Sequence, residues 1–225
     1  MNYNTGSELV TGLSDLPLLA VSLAMTAVSA ENRKKGPLGR GWFSLSVTVA
    51  VTLLAGAVLH SVHIGERYLR IFWPLEYALI TALTAMLWIQ IMRVFRPDSV
   101  SRRTVALITV FGALTAVVNG VVRFIYGNDM NPIFAVFGVP AVLHIIYSVM
   151  SCRDGGKNGL KTRFIVMALF LLLSIAVESA IAEPVIICGL PCKGAVFSHA
   201  LIAVAMFIAA GMIRRTSEVT DARLQ

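Results

Sequence analysis

Asp15, His60, His63, Glu76, Asn119, Glu178, Cys192 and His199 are the residues of this chain whose types could do chemistry, and most of them stand inside otherwise apolar stretches. Neutral imidazoles with a carboxylate suit zinc, which leaves a fourth position for water. Bound zinc lowers the pKa of that water to about 7 and so supplies a hydroxide nucleophile. A further carboxylate can orient a ligating His or take the proton. Two histidines and up to three carboxylates of this set are expected to converge where such an ion could sit. Glu76 doubles as the base, and Asp15 and Glu178 are the supporting carboxylates. In a membrane, such a constellation fits hydrolysis of a lipid-like amide or ester whose polar group arrives sideways.

The elements that must position these residues are membrane spans. Of 225 residues, 57% are apolar and 14% charged, and the mean hydropathy is +0.78. Soluble domains carry about 25% charged residues. A helix needs about 20 mostly apolar residues to cross the hydrocarbon. Seven segments qualify: 9–30, 41–64, 69–92, 104–124, 132–151, 163–182 and 194–213. Runs such as Ala168-Leu169-Phe170-Leu171-Leu172-Leu173 do not alternate as barrel strands do. The expected fold is therefore all-α: one seven-transmembrane-helix bundle over 1–225, with a short polar tail at 214–225. Charged or Gly/Pro-rich breaks separate the spans at Asn32–Pro37, Arg96–Ser99, Gly127–Pro132 and Asp154–Gly159.

Lys and Arg divide unevenly between the two sides. One side takes Arg33, Lys34, Lys35, Arg40, Arg93, Arg96, Arg102, Arg103, Arg153, Lys157, Lys161, Arg163, Arg214, Arg215 and Arg223. The other takes Arg67, Arg70, Arg123 and Lys193. Positive charge stays in the cytoplasm, so the N-terminus is expected outside and the C-terminus inside. No Lys or Arg precedes Arg33, so the first span reads as a retained helix rather than a cleaved leader. The net charge of +7 is dispersed among connections, which excludes a nucleic-acid binder. No span interior carries a Lys, which excludes a retinal Schiff base.

With that orientation, Asp15, His60, His63, Glu76, Glu178 and His199 fall in one outer-leaflet layer, and Asn119 joins them. His144 alone is central. Ionisable groups at such depths are costly and point to function. Ser44, Thr48, Thr52, Gly56 and His60 recur every four residues and share one helix face, as do Ser174 and Glu178, and Thr115 and Asn119. Each of these residues, taken singly, also fits a helix-to-helix hydrogen bond. Trp42, Trp73 and Tyr126 sit near span ends, where an aromatic belt is expected. Pro74 and Pro140 fit helix kinks. Cys188 and Cys192 fit either a disulfide in an oxidising compartment or two free thiols.

Several short motifs resemble a family of uncharacterised bacterial seven-helix membrane proteins. They are Glu8-Leu-Val-Thr11-Gly-Leu-Ser14-Asp15 at the opening, Ala55-Gly56-Ala57-Val58-Leu59-His60 at the end of span two, Leu69-Arg70-Ile71-Phe72-Trp73 at the start of span three, and Phe197-Ser198-His199 in span seven. More distantly, the layout is similar to the alkaline ceramidase and progestin/adipoQ receptor superfamily of zinc amide hydrolases. That resemblance implies His60, Glu76 and His199 in three of the ligand places. Two features depart from it. Ala195 and Ala203 stand four residues either side of His199, where a second His is expected, and Gly56 stands where a Ser precedes the span-two His. Cys192, His63, Asp15 or Glu178 then substitutes, or the catalytic site is lost.

The resulting expectation is a multi-pass protein of the bacterial inner membrane, with membrane lipids as partners and zinc as cofactor. A sensor that binds a ligand in the same pocket without turnover is the first alternative, and a proton-coupled transporter the second. Transport needs access from both sides, usually through a midplane site, and here only His144 continues the polar layer inward.

Overall fold

The computed structural model describes residues 6–61, 66–126, 142–152, 158–181 and 183–221. Its helices are α1 (Gly6–Asn32), α2 (Gly36–Ser61), α3 (Glu66–Phe95), α4 (Arg102–Tyr126), α5 (142–150), α6 (Asn158–Ala180) and α7 (Gly194–Asp221). A 3-10 turn, Pro97–Ser99, links α3 to α4. Among the described residues, α1, α2, α3, α4, α6 and α7 are long and apolar enough to cross a membrane. The protein is thus an all-α membrane-type bundle. His63, Pro140 and the side chain of Tyr126 lie outside the described residues.

α1, α3 and α4 extend past the expected apolar runs at both ends. α2 starts at Gly36 rather than Gly41. Trp42 therefore falls inside the helix and is buried in the core at 2% exposure, which corrects its assignment to an interfacial belt. The α4 N-terminus is capped by Ser101, whose Oγ accepts the Thr104 N–H at 3.0 Å.

Packing runs α4–α3–α2–α1–α7–α6, each helix against the next. α5 closes on α3, where His144 Nδ1 lies 2.8 Å from Thr84 Oγ1. Leu18, Met25, Trp42, Ile91, Ile145, Phe164, Met167, Ala205 and Met212 meet in one core cluster. Large apolar side chains also cover the outside: Leu13, Leu107, Leu114, Val117, Leu169 and Phe207 are exposed. A bundle that is apolar both inside and out is matched to lipid. Polar residues inside it satisfy themselves locally. The hydroxyls of Thr11, Ser46, Thr52, Thr81 and Ser148 each donate to the carbonyl four residues back.

The connection between α6 and α7 holds an element absent from the sequence reading. β1 (Val185–Ile187) pairs antiparallel with β2 (Leu190–Cys192), in the register Val185 to Cys192, Ile186 to Pro191 and Ile187 to Leu190. The two turn residues, Cys188 and Gly189, have φ of 51° and 79°. Positive φ at both positions is the signature of a two-residue hairpin turn. Cys188 is exposed at the turn and Cys192 is buried, and both are free thiols. The structure thus shows no bond between Cys188 and Cys192.

Candidate functional site

α1 supplies most of the site's anchors. Glu8, Gly12 and Asp15 are spaced four and three apart, so they share one face. Gly12 lets that face close on α2: a Cβ there would lie 2.2 Å from Ser61 Oγ and 3.2 Å from His60 Cβ. The contact lays Glu8 beside the His60 ring, where Nδ1 and Oε2 are 2.9 Å apart. The other Glu8 oxygen pairs with Lys193, just before α7. His60 also meets the Trp73 ring edge-on, at 4.8 Å between centroids.

The second imidazole is held the same way. His199 Nδ1 lies 2.7 Å from Ser14 Oγ and 3.2 Å from Asp15 Oδ1. Ser14 commits its proton to the Thr11 carbonyl at 2.6 Å. Ser14 and Asp15 share that one nitrogen. The trio is therefore not a nucleophile–base–orienter relay, which needs the base's two nitrogens used separately. The hydrogen bonds that His60 and His199 make among the described residues all use Nδ1. That leaves Nε2 of each ring without a hydrogen bond among the described residues.

Three carboxylates complete the layer. Gly56, four residues before His60, makes room for Glu76: a Cβ there would lie 2.6 Å from Glu76 Oε1 and 3.8 Å from Asp15 Oδ2. The Asp15 and Glu76 carboxylates thus converge over one glycine. Asp15 is 2% exposed, and its Oδ2 has no hydrogen-bond partner among the described residues. Ser198 donates to Glu178 Oε2 at 3.1 Å, which ties α6 to the start of α7 beside His199. Asp15 also lies within electrostatic reach of His60 and Glu178.

Of the residues named from sequence, His60, His199, Asp15 and Glu76 come together, with Glu178 adjoining through Ser198. Asn119 does not join them. Its amide donates to Thr81 Oγ1 at 2.7 Å, one turn further into α3. Cys192 ends β2, buried opposite Val185. His144 forms a separate, deeper cluster: its Nδ1 lies 2.8 Å from Thr84 Oγ1, among the rings of Trp88 and Phe111. Two site residues were missed in the sequence, Glu8 and Lys193. The spacing of Glu8 from Asp15, two helical turns, was the signal for the first.

Two imidazoles, each beside a carboxylate, are donors of the kind zinc takes, since its His ligands usually give their other N–H to such a partner. Among the described residues, however, no group of three His, Cys, Asp or Glu stands close enough to hold an ion. Comparison with family models, with curated proteins and with solved structures returns no match.

Proposed function

We propose that this chain is a seven-span inner-membrane protein, N-terminus outside, whose polar layer opens to the outer leaflet and hydrolyses a lipid-like amide or ester with zinc. The one-sided distribution of Lys and Arg supports the orientation. α5, at 142–150, lies where the fifth span is expected. The single observation carrying the activity is the pair of imidazoles on α2 and α7, His60 Nδ1 at 2.9 Å from Glu8 Oε2 and His199 Nδ1 at 3.2 Å from Asp15 Oδ1. His60 and His199 would hold the metal, and Glu76 would join them as third ligand or as base. Bound zinc would polarise the carbonyl and activate water. Asp15 and Glu8 fix the rings, and Glu76 beside Asp15 is placed to hold a proton. The motif resemblance to seven-helix zinc amide hydrolases points the same way.

The test is elemental analysis of purified protein, wild type against His60→Ala and His199→Ala, followed by a lipid amidase and esterase screen. About one zinc per chain, lost in both variants, is the expected result. Metal-free wild type overturns the reading.

A second reading is a ligand-binding membrane sensor that uses the same layer without turnover. It is favoured by the lack of a ready three-ligand group among the described residues. Saturable lipid binding without hydrolysis, lost in Asp15→Ala, would select it.

A further inference from the structure

The hairpin between α6 and α7 is apolar where a connection in water would be polar. Val185, Ile186, Ile187 and Leu190 are all exposed, Ile186 at 66%. No charged residue lies between Glu183 and Lys193. Surface turns usually carry polar residues that hydrogen-bond their own backbone, and the hairpin has none.

Its base is firmly attached. Lys193 pairs with Glu8, Gly194 N–H donates to the Ile181 carbonyl at 3.3 Å, and Pro191 Cγ approaches within 3.5 Å of the Cβ position on Gly6. β2 therefore lies against the start of α1. From there the outward face of α1 continues with exposed Leu9, Leu13 and Leu16. The hairpin prolongs that apolar face beyond the end of the helix. Its occupant is set by this continuity: a surface running without a break from a membrane span meets the same lipid. Its depth is set by the backbone. Among the described residues the two short strands pair only with each other, so their outer edges must find hydrogen-bond partners, which hydrocarbon lacks and the headgroup region supplies.

We propose that the β1–β2 hairpin is seated in the lipid headgroup–acyl boundary beside α1, with Val185, Ile186, Ile187 and Leu190 against acyl chains. The inference is independent of any activity at the histidines. It makes the hairpin a fixed wedge in the leaflet next to the Glu8–His60 end of the polar layer.

Cys188, at the exposed turn, provides the probe, because the other two thiols are buried. The full chain would be labelled there with a polarity-sensitive thiol fluorophore and reconstituted into phosphatidylcholine–phosphatidylglycerol vesicles. Quenching by lipids spin-labelled high on the acyl chain would be compared with quenching by aqueous iodide. The expected result is blue-shifted emission and several-fold stronger quenching by the lipids. The paired variant Ile186→Asp with Leu190→Asp should reverse that preference. Dominant iodide quenching in the wild type would place the hairpin in water and overturn the proposal. Protection from both quenchers would also overturn it, by showing a protein cover such as a second copy of this chain. The wild-type measurement decides even if the variant fails to insert.

Discussion

Glu8 joins two elements far apart in sequence: one oxygen accepts from the His60 ring on α2 at 2.9 Å, and the other pairs with Lys193 at the foot of α7. A single carboxylate thus ties three helices at one end of the bundle. Its side chain is 19% exposed, so both contacts are partly shielded from water. Glu8→Gln keeps the shape but loses the charge, and should cost about 1 kcal/mol of stability. A double-mutant cycle with Lys193→Met, read by denaturation in micelles, should show coupling of roughly 0.5–1.5 kcal/mol. Coupling near zero would reduce the pair to a surface contact.

The carboxylates behind the rings should tune metal affinity. Under the zinc reading, Glu8→Ala or Asp15→Ala should weaken zinc binding by roughly 10–100-fold while leaving His60 and His199 in place. Competition with a chelator of known affinity measures it. Unchanged affinity would remove both residues from the metal's surroundings.

Gly56 is a space requirement. In Gly56→Ala, the new methyl meets Glu76 Oε1 at 2.6 Å, so the Glu76 carboxylate must shift from its place. Overpacking of this kind costs about 1–3 kcal/mol, and any function of the layer should fall with it. Gly120→Ala is the control, because its Cβ would find 3.4 Å to the Pro74 carbonyl and 3.6 Å to Ala78. Equal effects in the two variants would show that helix glycines, not the site, are responsible.

The three thiols should differ sharply. Cys188 is exposed and should react with maleimide at neutral pH, giving about one label per chain. Cys152 is buried at the end of α5, and burial pushes its thiol up to about 12, against the pull of Lys161 and Arg96. It stays protonated and inert at pH 7–8. The sign also bears on stability. Its pKa is raised on folding, so the contribution is complete below the ordinary thiol value of 9.0 and is lost as pH climbs toward about 12. Mass spectrometry of labelled peptides at pH 7 checks the first claim. Comparable labelling of Cys152 would contradict its burial.

His144 should matter for folding rather than for the cluster of His60, His199, Asp15 and Glu76. It is fully buried, bonded to Thr84 and packed on Trp88 and Phe111. His144→Ala should cost about 2–4 kcal/mol through cavity formation. Zinc content, measured on the folded fraction, should not change. Loss of metal without loss of stability would tie this cluster to the site.

The all-helical membrane fold was legible because lipid demands long apolar runs, and nothing else in the chain competes with that signal. Asp15, His60, Glu76 and His199 were legible for the same reason, as ionisable types inside apolar runs. Their partners were harder. Glu8 stands before the apolar run, where an acidic residue ordinarily serves the helix N-terminus, so its reach to His60 needed the packing at Gly12. Asn119 was placed by depth alone, but its direction around α4 sends it to Thr81. The hairpin escaped notice because its strands are three residues each, and Cys-Gly is a weak turn signal beside Asn-Gly. Trp42 misled because an aromatic near a span end looks interfacial until the helix is known to start at Gly36.

Both imidazoles stand on helices of their own, α2 and α7, yet both are clamped by α1, through Glu8 on one side and Ser14 and Asp15 on the other. The two rings therefore share one mechanical reference. A slide or tilt of α1 would release them together rather than one at a time. The layer thus behaves as a single latch, and α1, the first segment of the chain, is its bolt.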